Sequence, residues 1–498
     1  MSQSQGAPSA HPETNGGPGS LGRTPKTIFE RSRFGRRAWS LPSHEGSAAE
    51  LPDRFKRATP PRLPEVDEPT LVRHYTQLSE RNFAIDNAFY PLGSCTMKYN
   101  PKVHDELAAL FGGVHPDQPA SDVQGALALL WAFELELCEI TGMTAATFCP
   151  AAGAHGEITA LLMWRKYFEE RGDDARDTVI IPDSAHGTNP ASVRLAGFKV
   201  AEVPSGADGR IDVDALRELV GPHVVGLMIT NPNTLGVFET HIGEVTAMLH
   251  DAGALSYCDG ANLNAIVGRA RPGDMGFDVV HINLHKTFST PHGGGGPGAG
   301  PLCVDELLAP YLPVPRVKRL DDGTFVFDSD EPHTIGPVHS FAGNFAVVVR
   351  AYAYLLRLGL EGLRNVSAMA VLNASYLKAR VGGRYRVPYS EGTMHEFVAS
   401  GDFLRKHGVR TFDVAKALLD YGFHAPTVYF PLTVREALMV EPTETESKET
   451  LDVFAEALLE IADAAEAGEG ERLRNAPHTL PVSRLDEARA ARQLKLRA

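Results

Sequence analysis

One lysine in this sequence is hard to explain by packing alone. Lys286 closely follows the apolar stretch 279–284 and is flanked by a histidine and a threonine. Lysine is almost never fully buried without a partner, so the side chain either extends to solvent along its aliphatic stem or has a chemical task. Burial lowers the pKa of an amine and makes it a nucleophile that forms an imine with an aldehyde cofactor. Lys286 is therefore a candidate catalytic residue.

A carboxylate follows a second apolar stretch. Asp259 comes directly after residues 254–258, and a carboxylate near the low-dielectric end of a sheet needs a partner. A pyridinium N–H is a suitable partner, because the ion pair keeps the ring protonated and a protonated ring is the better electron sink. Ala261 would then lie under that ring. An aspartate that caps a helix N-terminus explains the same position equally well.

Two further segments have residues that suit a phosphorylated ring. Small residues occupy positions 151–154, where a predicted strand turns into a helix, and such a turn lets a phosphate approach free backbone N–H groups. Simple packing also explains such a turn. His186 lies on another strand-to-helix loop, where its imidazole could stack on a planar cofactor or be a structural histidine.

All four segments follow predicted strands, and ligands bind at the carboxyl ends of the strands in an open α/β sheet. Together they supply a phosphate turn, a stacking imidazole, a carboxylate for a pyridinium and an imine lysine. This set predicts a site for pyridoxal phosphate. The glycine run at 293–298 is either a second phosphate cradle or a flexible loop, and it lacks the GK[ST] ending of a nucleotide P-loop.

The elements that must position these residues alternate along the chain. The predicted strands are 144–149, 177–181, 198–203, 224–230, 254–258 and 279–284. The predicted helices between them are 151–169, 190–196, 213–220 and 242–252. Strands that alternate with helices at this spacing predict an α/β fold with a mostly parallel central sheet covered by helices on both faces.

The remaining segments suggest a division into domains. Residues 1–26 are rich in Ser, Gly and Pro and are predicted to be a disordered extension, and 27–104 an extended N-terminal arm. Residues 105–335 form the predicted large cofactor-binding domain, which opens with two helices, the second ended by Gly142. Helices at 341–358, 413–421 and 448–466 with a strand at 427–431 predict a smaller α+β C-terminal domain at 336–475. Residues 476–498 are a tail.

Composition argues against several classes of protein. The net charge of −14 disfavours nucleic acid as a partner. The sequence contains no run of about eighteen apolar residues, so we expect no membrane-spanning helix. The five cysteines form no CxxC pair, and the 19 dispersed histidines form no HExxH motif, so we expect no metal. Without a secretory signal, we expect reduced thiols and a cytoplasmic protein.

Several segments resemble a known family. Residues 91–98, 151–157, 183–192, 284–301, 420–424 and 441–444 are similar to the P-protein of the glycine cleavage system, and the resemblance extends from about residue 27 to about residue 480. Members of that family are either one long chain with two similar halves or two separate subunits. This chain has the length of one half and contains the lysine motif, so it resembles the cofactor-bearing subunit.

The resemblance implies fold type I of the pyridoxal-phosphate enzymes and a role for each site residue. Lys286 would form the imine, Asp259 would pair with the ring nitrogen, and His186 and Ala261 would pack on opposite faces of the ring. The other implied roles are phosphate binding by Ala152, Gly153 and Ala154, contact of Thr234 with the ring hydroxyl, proton transfer by His285, and a substrate side lined by Ser94 and Cys95.

The resemblance also implies an activity and partners. Glycine would lose carbon dioxide on the cofactor, and its aminomethyl group would pass to the lipoyl arm of the carrier (H) protein. A homologous subunit without the imine lysine would assemble with this chain, two of each. Another fold type I enzyme, such as an amino-acid decarboxylase or a threonine aldolase, is the alternative that the four-part site leaves open. A non-catalytic scaffold subunit should lack Lys286, and a metal enzyme finds no support.

Overall fold

The structure is a computed structural model that describes residues 26–40, 50–59, 61–292 and 298–494 of the chain. Most of the predicted N-terminal extension and of the glycine run at 293–298 lies outside these residues. The chain divides into two units, one of residues 85–474 and one that joins residues up to 84 with those from 475 onward. The domain boundaries given above stay a prediction.

The segment predicted as an arm contains helices α1 (Ile28–Arg31) and α2 (Glu68–Ser79). Thr27 caps α1 through a reciprocal pair of hydrogen bonds with Glu30, which satisfies N–H groups that the helix leaves free. Asp67 caps α2, because its carboxylate accepts a 2.8 Å hydrogen bond from the Thr70 amide. Local capping thus explains helices that the sparse apolar pattern of this segment did not predict.

The larger unit contains a central sheet. Its strands are β1 (Ala145–Thr147), β2 (Thr178–Pro182), β3 (Lys199–Val203), β4 (Val224–Thr230), β5 (Leu255–Gly260), β6 (Val279–Ile282) and β7 (Leu302–Val304). They lie in the order β1-β7-β6-β5-β4-β2-β3. Neighbours from β6 to β3 are parallel, whereas β7 is antiparallel to both β6 and β1. The mostly parallel sheet is confirmed; β7, only three residues long, has too few residues to show a periodic pattern.

Helices pack on both faces of this sheet. They are α4 (Gln124–Thr141), α5 (Gly153–Glu170), α6 (Thr188–Leu195), α7 (Val213–Leu219) and α8 (Ile242–Asp251), and they follow the short helix α3 (Val103–Ala109) along the chain. Successive side chains of a strand point to opposite faces, and in β4 Leu227 joins a core with Phe133 of α4 while Met228 joins another with Trp164 of α5. Burial on both faces explains the continuous apolar run of β4. Gly142 ends α4 at a φ of 71°, as predicted.

The C-terminal part of the larger unit combines helices with short antiparallel strands. The elements are β8 (Arg316–Arg319), β9 (Phe325–Asp328), α9 (Phe345–Val381), β10 (Phe397–Ser400), α10 (Thr411–Asp420), β11 (Thr427–Val428), β12 (Ala437–Val440), α11 (Lys448–Glu466) and α12 (Gly470–Asn475). Strands β10, β12 and β11 form a sheet in that order. In the other unit, α13 (Glu487–Arg492) is the last helix.

The helix predicted at 341–358 has different bounds in the structure. It begins at Phe345 and continues to Val381, with Gly359 at φ 59° and ψ −174° as a non-helical joint between two helical stretches. The predicted helix ended just before this glycine. Its positive φ is a backbone conformation that L side chains rarely adopt, so a glycine is required at the joint. Among the described residues, no helix is long and apolar enough to cross a membrane.

Candidate active site

The side chain of Lys286 forms a hydrogen bond with the backbone of Ser94, near the start of the larger unit. Lys286 lies in the turn after β6, where its amide donates a 2.9 Å hydrogen bond to the Asn283 carbonyl. Its Nζ atom donates a 3.1 Å hydrogen bond to the carbonyl oxygen of Ser94. The amine therefore lies at the carboxyl edge of the sheet, beside the segment that was expected to line the substrate side.

Asp259, in β5, is a buried carboxylate whose hydrogen-bond neighbours, within the described part of the chain, are nitrogen atoms. Its Oδ1 accepts a 2.9 Å hydrogen bond from the Ala261 amide and lies 3.5 Å from His281 Nε2, and Asn189 Nδ2 lies 3.4 Å from Oδ2. Burial opposes ionisation, but His281, the Ala261 amide and Lys286 together hold the pKa of Asp259 below its usual range. Among the described residues, no lysine or arginine forms an ion pair with Asp259. Its carboxylate can therefore accept a hydrogen bond from the N–H group of a cationic ligand.

His281 was not predicted as a site residue. Its Nδ1 lies 2.6 Å from the Tyr257 hydroxyl, and its Nε2 lies 3.0 Å from Asn283 Oδ1 and 3.5 Å from Asp259 Oδ1. Because both neighbours of Nε2 are acceptors, Nε2 carries a hydrogen. The only sequence signal was a histidine inside the apolar run 279–282, and it could have been recognised as a partner for a carboxylate on the adjacent strand.

The small-residue turn has the backbone geometry of an anion site. Helix α5 begins at Gly153, with Ala152 extended at its N-cap, so the first N–H groups have no partner within the helix and carry partial positive charge. A Cβ atom on Gly153 would lie 2.6 Å from Asn283 Nδ2 and 3.1 Å from His281 Nε2. Ala152 and Ala154 are exposed. The turn thus combines accessible amides with a position where a side chain does not fit.

The loops after β2 and β4 lie at the same edge. His186 is exposed, and its Nδ1 lies 2.9 Å from the hydroxyl oxygen of Thr188, which donates a 2.7 Å hydrogen bond to buried Glu157. The buried hydroxyl of Thr234 donates to the carbonyl oxygen of Ser184 and so joins the two loops. Ala261 directly follows β5. The structure brings these residues to one edge, and their contacts with a ring stay predictions.

His285 and Cys95 are two further polar residues of the candidate site, and both lie near His292. Burial, His292 and Lys286 lower the pKa of His285 to about 3, so its imidazole is uncharged at neutral pH, and its role in proton transfer stays a prediction. Cys95 Sγ lies 3.9 Å from Nδ1 of His292. Burial raises the pKa of the Cys95 thiol, which therefore keeps its proton at neutral pH.

Two glutamates behind Ser94 were also missed as site residues. The Ser94 amide donates a 2.6 Å hydrogen bond to Glu396, and the Thr96 hydroxyl donates a 2.5 Å hydrogen bond to Glu441. Both glutamates are fully buried. Each flanks a short apolar strand, which is the same signal that indicated Asp259, although residues 441–444 had been noted only for their resemblance.

The residues present fit pyridoxal phosphate. Helix α5 offers amides to a phosphate, Asp259 is an ionised carboxylate without a strong cation, and Lys286 provides an amine. Several buried polar atoms at this edge also have no hydrogen-bond partner within the described ranges: Asn189 Oδ1, Thr230 Oγ1, Thr287 Oγ1 and Thr290 Oγ1. Because buried polar groups in native proteins are normally paired, these atoms indicate a site shaped for a polar ligand.

Comparisons with known proteins indicate the family of the chain. A family model described as aminotransferase class-V matches residues 160–296, and one described as glycine dehydrogenase, C-terminal domain, matches residues 366–480. A protein of Thermus thermophilus named as a glycine dehydrogenase (decarboxylating) subunit 2 is 57% identical, covering 94% of this chain and 98% of that protein. A protein of the same name from Caldanaerobacter subterraneus is 54% identical with the same coverage.

Solved structures show the same fold. The inhibitor-bound glycine decarboxylase (P-protein) of the glycine cleavage system superposes with a TM-score of 0.69 at 24% identity, covering 82% of this chain and 93% of that one. A sphingosine-1-phosphate lyase of Burkholderia pseudomallei superposes with a TM-score of 0.57 at 17% identity, covering 86% and 96%. The predicted fold class, fold type I, is confirmed.

These results also confirm the predicted cofactor, which is pyridoxal phosphate. The relatives match over almost their whole length. The chain is an enzyme and belongs to the family of glycine dehydrogenase (decarboxylating) subunit 2 proteins.

Proposed function

We propose that this chain decarboxylates glycine and passes the remaining aminomethyl group to the lipoyl arm of the carrier (H) protein of the glycine cleavage system. The observation that carries the proposal is the position of Lys286. Its amine lies at the carboxyl edge of the sheet, and, together with His281 and the Ala261 amide, it holds the pKa of buried Asp259 on the adjacent strand below its usual range. An amine and an ionised carboxylate in this relation are what a pyridoxal-phosphate site needs.

The residues at the sheet edge would divide the binding of the cofactor among them. Lys286 would hold it through the amino group, and Asp259 would keep a proton on the ring nitrogen. Further contacts would come from Ala152, Gly153 and Ala154 to the phosphate, from His186 and Ala261 to the two ring faces, and from Thr234 to the ring hydroxyl. When bound, the cofactor supplies an electron sink for the electron pair left by decarboxylation.

The reaction requires particular tasks of the protein side chains. The bond between the glycine carboxylate and Cα breaks to release carbon dioxide. A carbon–sulfur bond to the lipoyl group forms while its S–S bond breaks, and the leaving sulfur takes a proton. Ser94 and Cys95 would line the substrate side of this site. His285, uncharged at neutral pH, would lie next to Lys286 and take part in proton transfer.

The proposal extends to partners and location. The name of the relatives, subunit 2, implies a first subunit, and we propose an assembly of two copies of each in which the first subunit lacks the imine lysine. All five cysteines are free thiols, four of them buried. A cytoplasmic location agrees with this state, and cell fractionation would test it.

The decisive experiment is an exchange assay. The chain is co-expressed with the first subunit, and incorporation of labelled bicarbonate into glycine is measured with lipoylated carrier protein present. Lys286→Ala should reduce exchange by at least about 1000-fold, on the scale known for removal of a covalent catalytic group. Lys199→Ala is the matched control, since Lys199 is an exposed lysine paired with Asp177, and it should retain full exchange.

The other outcomes separate the alternatives. A cofactor absorbance band with no glycine exchange, but with turnover of another amino acid, would retain the fold and cofactor and reject glycine as substrate. Exchange that continues in Lys286→Ala would reject the lysine assignment. A parent protein that binds no cofactor would support the scaffold-subunit alternative.

A further inference from the structure

The register of the small sheet brings two glutamates together. Phe397 of β10 pairs with Val440 of β12 in an antiparallel register, so Glu396 and Glu441 are the next residues at the same end of the two strands. Directly opposite residues of antiparallel strands share a face, and like charges there repel each other. Both side chains are fully buried, so two negative charges at this place would be strongly unfavourable.

The contacts of the two carboxyl groups differ. Glu396 accepts from two N–H donors, the Ser94 amide at 2.6 Å and Asn262 Nδ2 at 3.1 Å, which suits an ionised, acceptor-only carboxylate. Glu441 has the Thr96 hydroxyl on Oε1, and its Oε2 has no partner among the residues with described positions. A hydroxyl neighbour and a free oxygen suit a neutral carboxylic acid, because the hydroxyl can donate or accept.

We propose that Glu396 and Glu441 form a buried acid pair in which Glu441 keeps its proton and Glu396 carries the single negative charge that acts on Lys286. The link to Lys286 is Ser94, whose amide is bound by Glu396 and whose carbonyl oxygen accepts the hydrogen bond from Lys286 Nζ. Glu396 also stabilises Ser94 at a φ of 62°, a conformation uncommon for a residue other than glycine. Glu396 is therefore a positioning residue.

Above about pH 7, where Glu396 is ionised, the neighbouring titratable groups agree with this distribution of charge. Burial raises the pKa of Glu396 to about 7, an effect opposed by the Ser94 amide and Lys286, and burial with the charge of Glu396 raises the pKa of Glu441 further. Burial lowers the pKa of His395 to about 3, so this imidazole is neutral. Lys98 forms its own 2.7 Å ion pair with Glu444. The thiol of Cys95 is also neutral, since burial raises its pKa.

A negative charge at Glu396 has a consequence for Lys286. The attraction between the Glu396 carboxylate and the Lys286 amino group already opposes the rise in the pKa of Glu396. We expect replacement of this carboxylate by a neutral amide to change how readily Lys286 reacts as an amine. The inference rests on the proposed function for its meaning in the reaction, but the charge itself can be measured without the reaction.

The test measures the proton affinity of Lys286 in the full-length chain after removal of the cofactor. The protein is treated with an amine-acylating reagent at a series of pH values, and labelling of the Lys286 peptide is followed by mass spectrometry. Glu396→Gln should shift the labelling midpoint down by about one pH unit, the size expected for loss of one nearby opposite charge. Glutamine retains an acceptor for the Ser94 amide, so a merely structural role predicts no shift.

Two further variants complete the design. Glu441→Gln should leave the midpoint unchanged, because it replaces a neutral acid by a neutral amide. Glu446→Gln is the matched control, since burial also raises the pKa of Glu446 to about 7. This variant too should leave the midpoint unchanged. Circular dichroism checks that each variant is folded.

An infrared measurement tests the proton on Glu441 directly. At about pH 8, above the usual range for a carboxyl group, the spectrum of the parent protein should contain the carbonyl stretch of a protonated acid, and this band should be lost in Glu441→Gln. The proposal is overturned if Glu396→Gln does not shift the labelling midpoint. Equal downward shifts in both glutamine variants, or an acid band that persists in Glu441→Gln, would also overturn it. Failure of glycine exchange in the parent enzyme would bear only on the proposed function.

Discussion

The amino group of Lys286 donates a 3.1 Å hydrogen bond to the carbonyl oxygen of Ser94, 192 positions earlier in the chain. Leu92 forms a bridge to Val440 of β12, and the Thr427 hydroxyl donates a 2.8 Å hydrogen bond to the Gly93 carbonyl. The segment around Ser94 is therefore held by the small sheet while it contacts the lysine of the large one. The candidate site is completed by residues from both parts of the larger unit.

Gly153→Ala should weaken cofactor binding, because the added Cβ would lie 2.6 Å from Asn283 Nδ2 and move the turn that faces the phosphate. We expect at least about a tenfold rise in the cofactor dissociation constant, equivalent to about 1.4 kcal/mol, measured by absorbance titration. Gly187→Ala is the control, since nothing lies within 4 Å of its added Cβ. Equal affinity of Gly153→Ala and the parent would show that the turn does not bind the phosphate.

Asp259→Asn should reduce glycine exchange by about 100-fold or more, the scale for loss of a preorganised electrostatic contact at a reacting group. Asparagine retains the size of the side chain but not the charge that would keep a ring nitrogen protonated. Exchange and the cofactor absorbance spectrum are measured together. Asp274→Asn, which alters an exposed ion pair with Arg271, should be fully active. An unchanged spectrum and rate in Asp259→Asn would remove this residue from the site.

Lys98→Met should destabilise the protein by about 3–5 kcal/mol, because it leaves a buried carboxylate without its cation. The Lys98 side chain is 1% exposed, and its Nζ lies 2.7 Å from Glu444 Oε1 and donates a 2.7 Å hydrogen bond to Asn264. Urea denaturation followed by circular dichroism gives the free energy of unfolding.

Two comparisons test the cause of this loss. The double variant Lys98→Met with Glu444→Gln should recover much of the stability, since no buried charge remains unpaired. Lys199→Met, at a pair whose lysine side chain is 75% exposed, should cost less than about 1 kcal/mol. Similar losses in Lys98→Met and Lys199→Met would contradict the assignment of a buried pair.

His250 should make stability depend on pH in a defined direction. Its Nε2 lies 3.0 Å from buried Asp278, and this hydrogen bond raises the pKa of His250 above the value of the unfolded chain. The stabilisation is therefore fully present below the unfolded-state pKa and is lost as the pH rises through the folded-state pKa. His250→Gln should thus lower the urea midpoint, relative to the parent, more at about pH 6 than at about pH 9. A loss of equal size at both pH values would mean that the charge of His250 contributes nothing.

Several elements could be predicted because their signals are local. The apolar run of β4 and the alternation of strands and helices give the parallel sheet, and Gly142 marks the end of α4. The short strand β7 and the continuation of α9 beyond Gly359 were missed. A three-residue strand shows no period, and a glycine with positive φ inside a long helix looks like a helix end.

The sequence by itself determined which residue types stand at the strand ends, among them Lys286 and Asp259, because burial and periodicity act over a few neighbouring residues. Only the tertiary structure decided that Ser94 accepts a hydrogen bond from Lys286 and that Glu396 lies opposite Glu441. Together with the Ser94–Glu396 hydrogen bond, these contacts join segments up to about three hundred residues apart in the chain. They depend on strand register and on the packing of one layer against another, which no local pattern records.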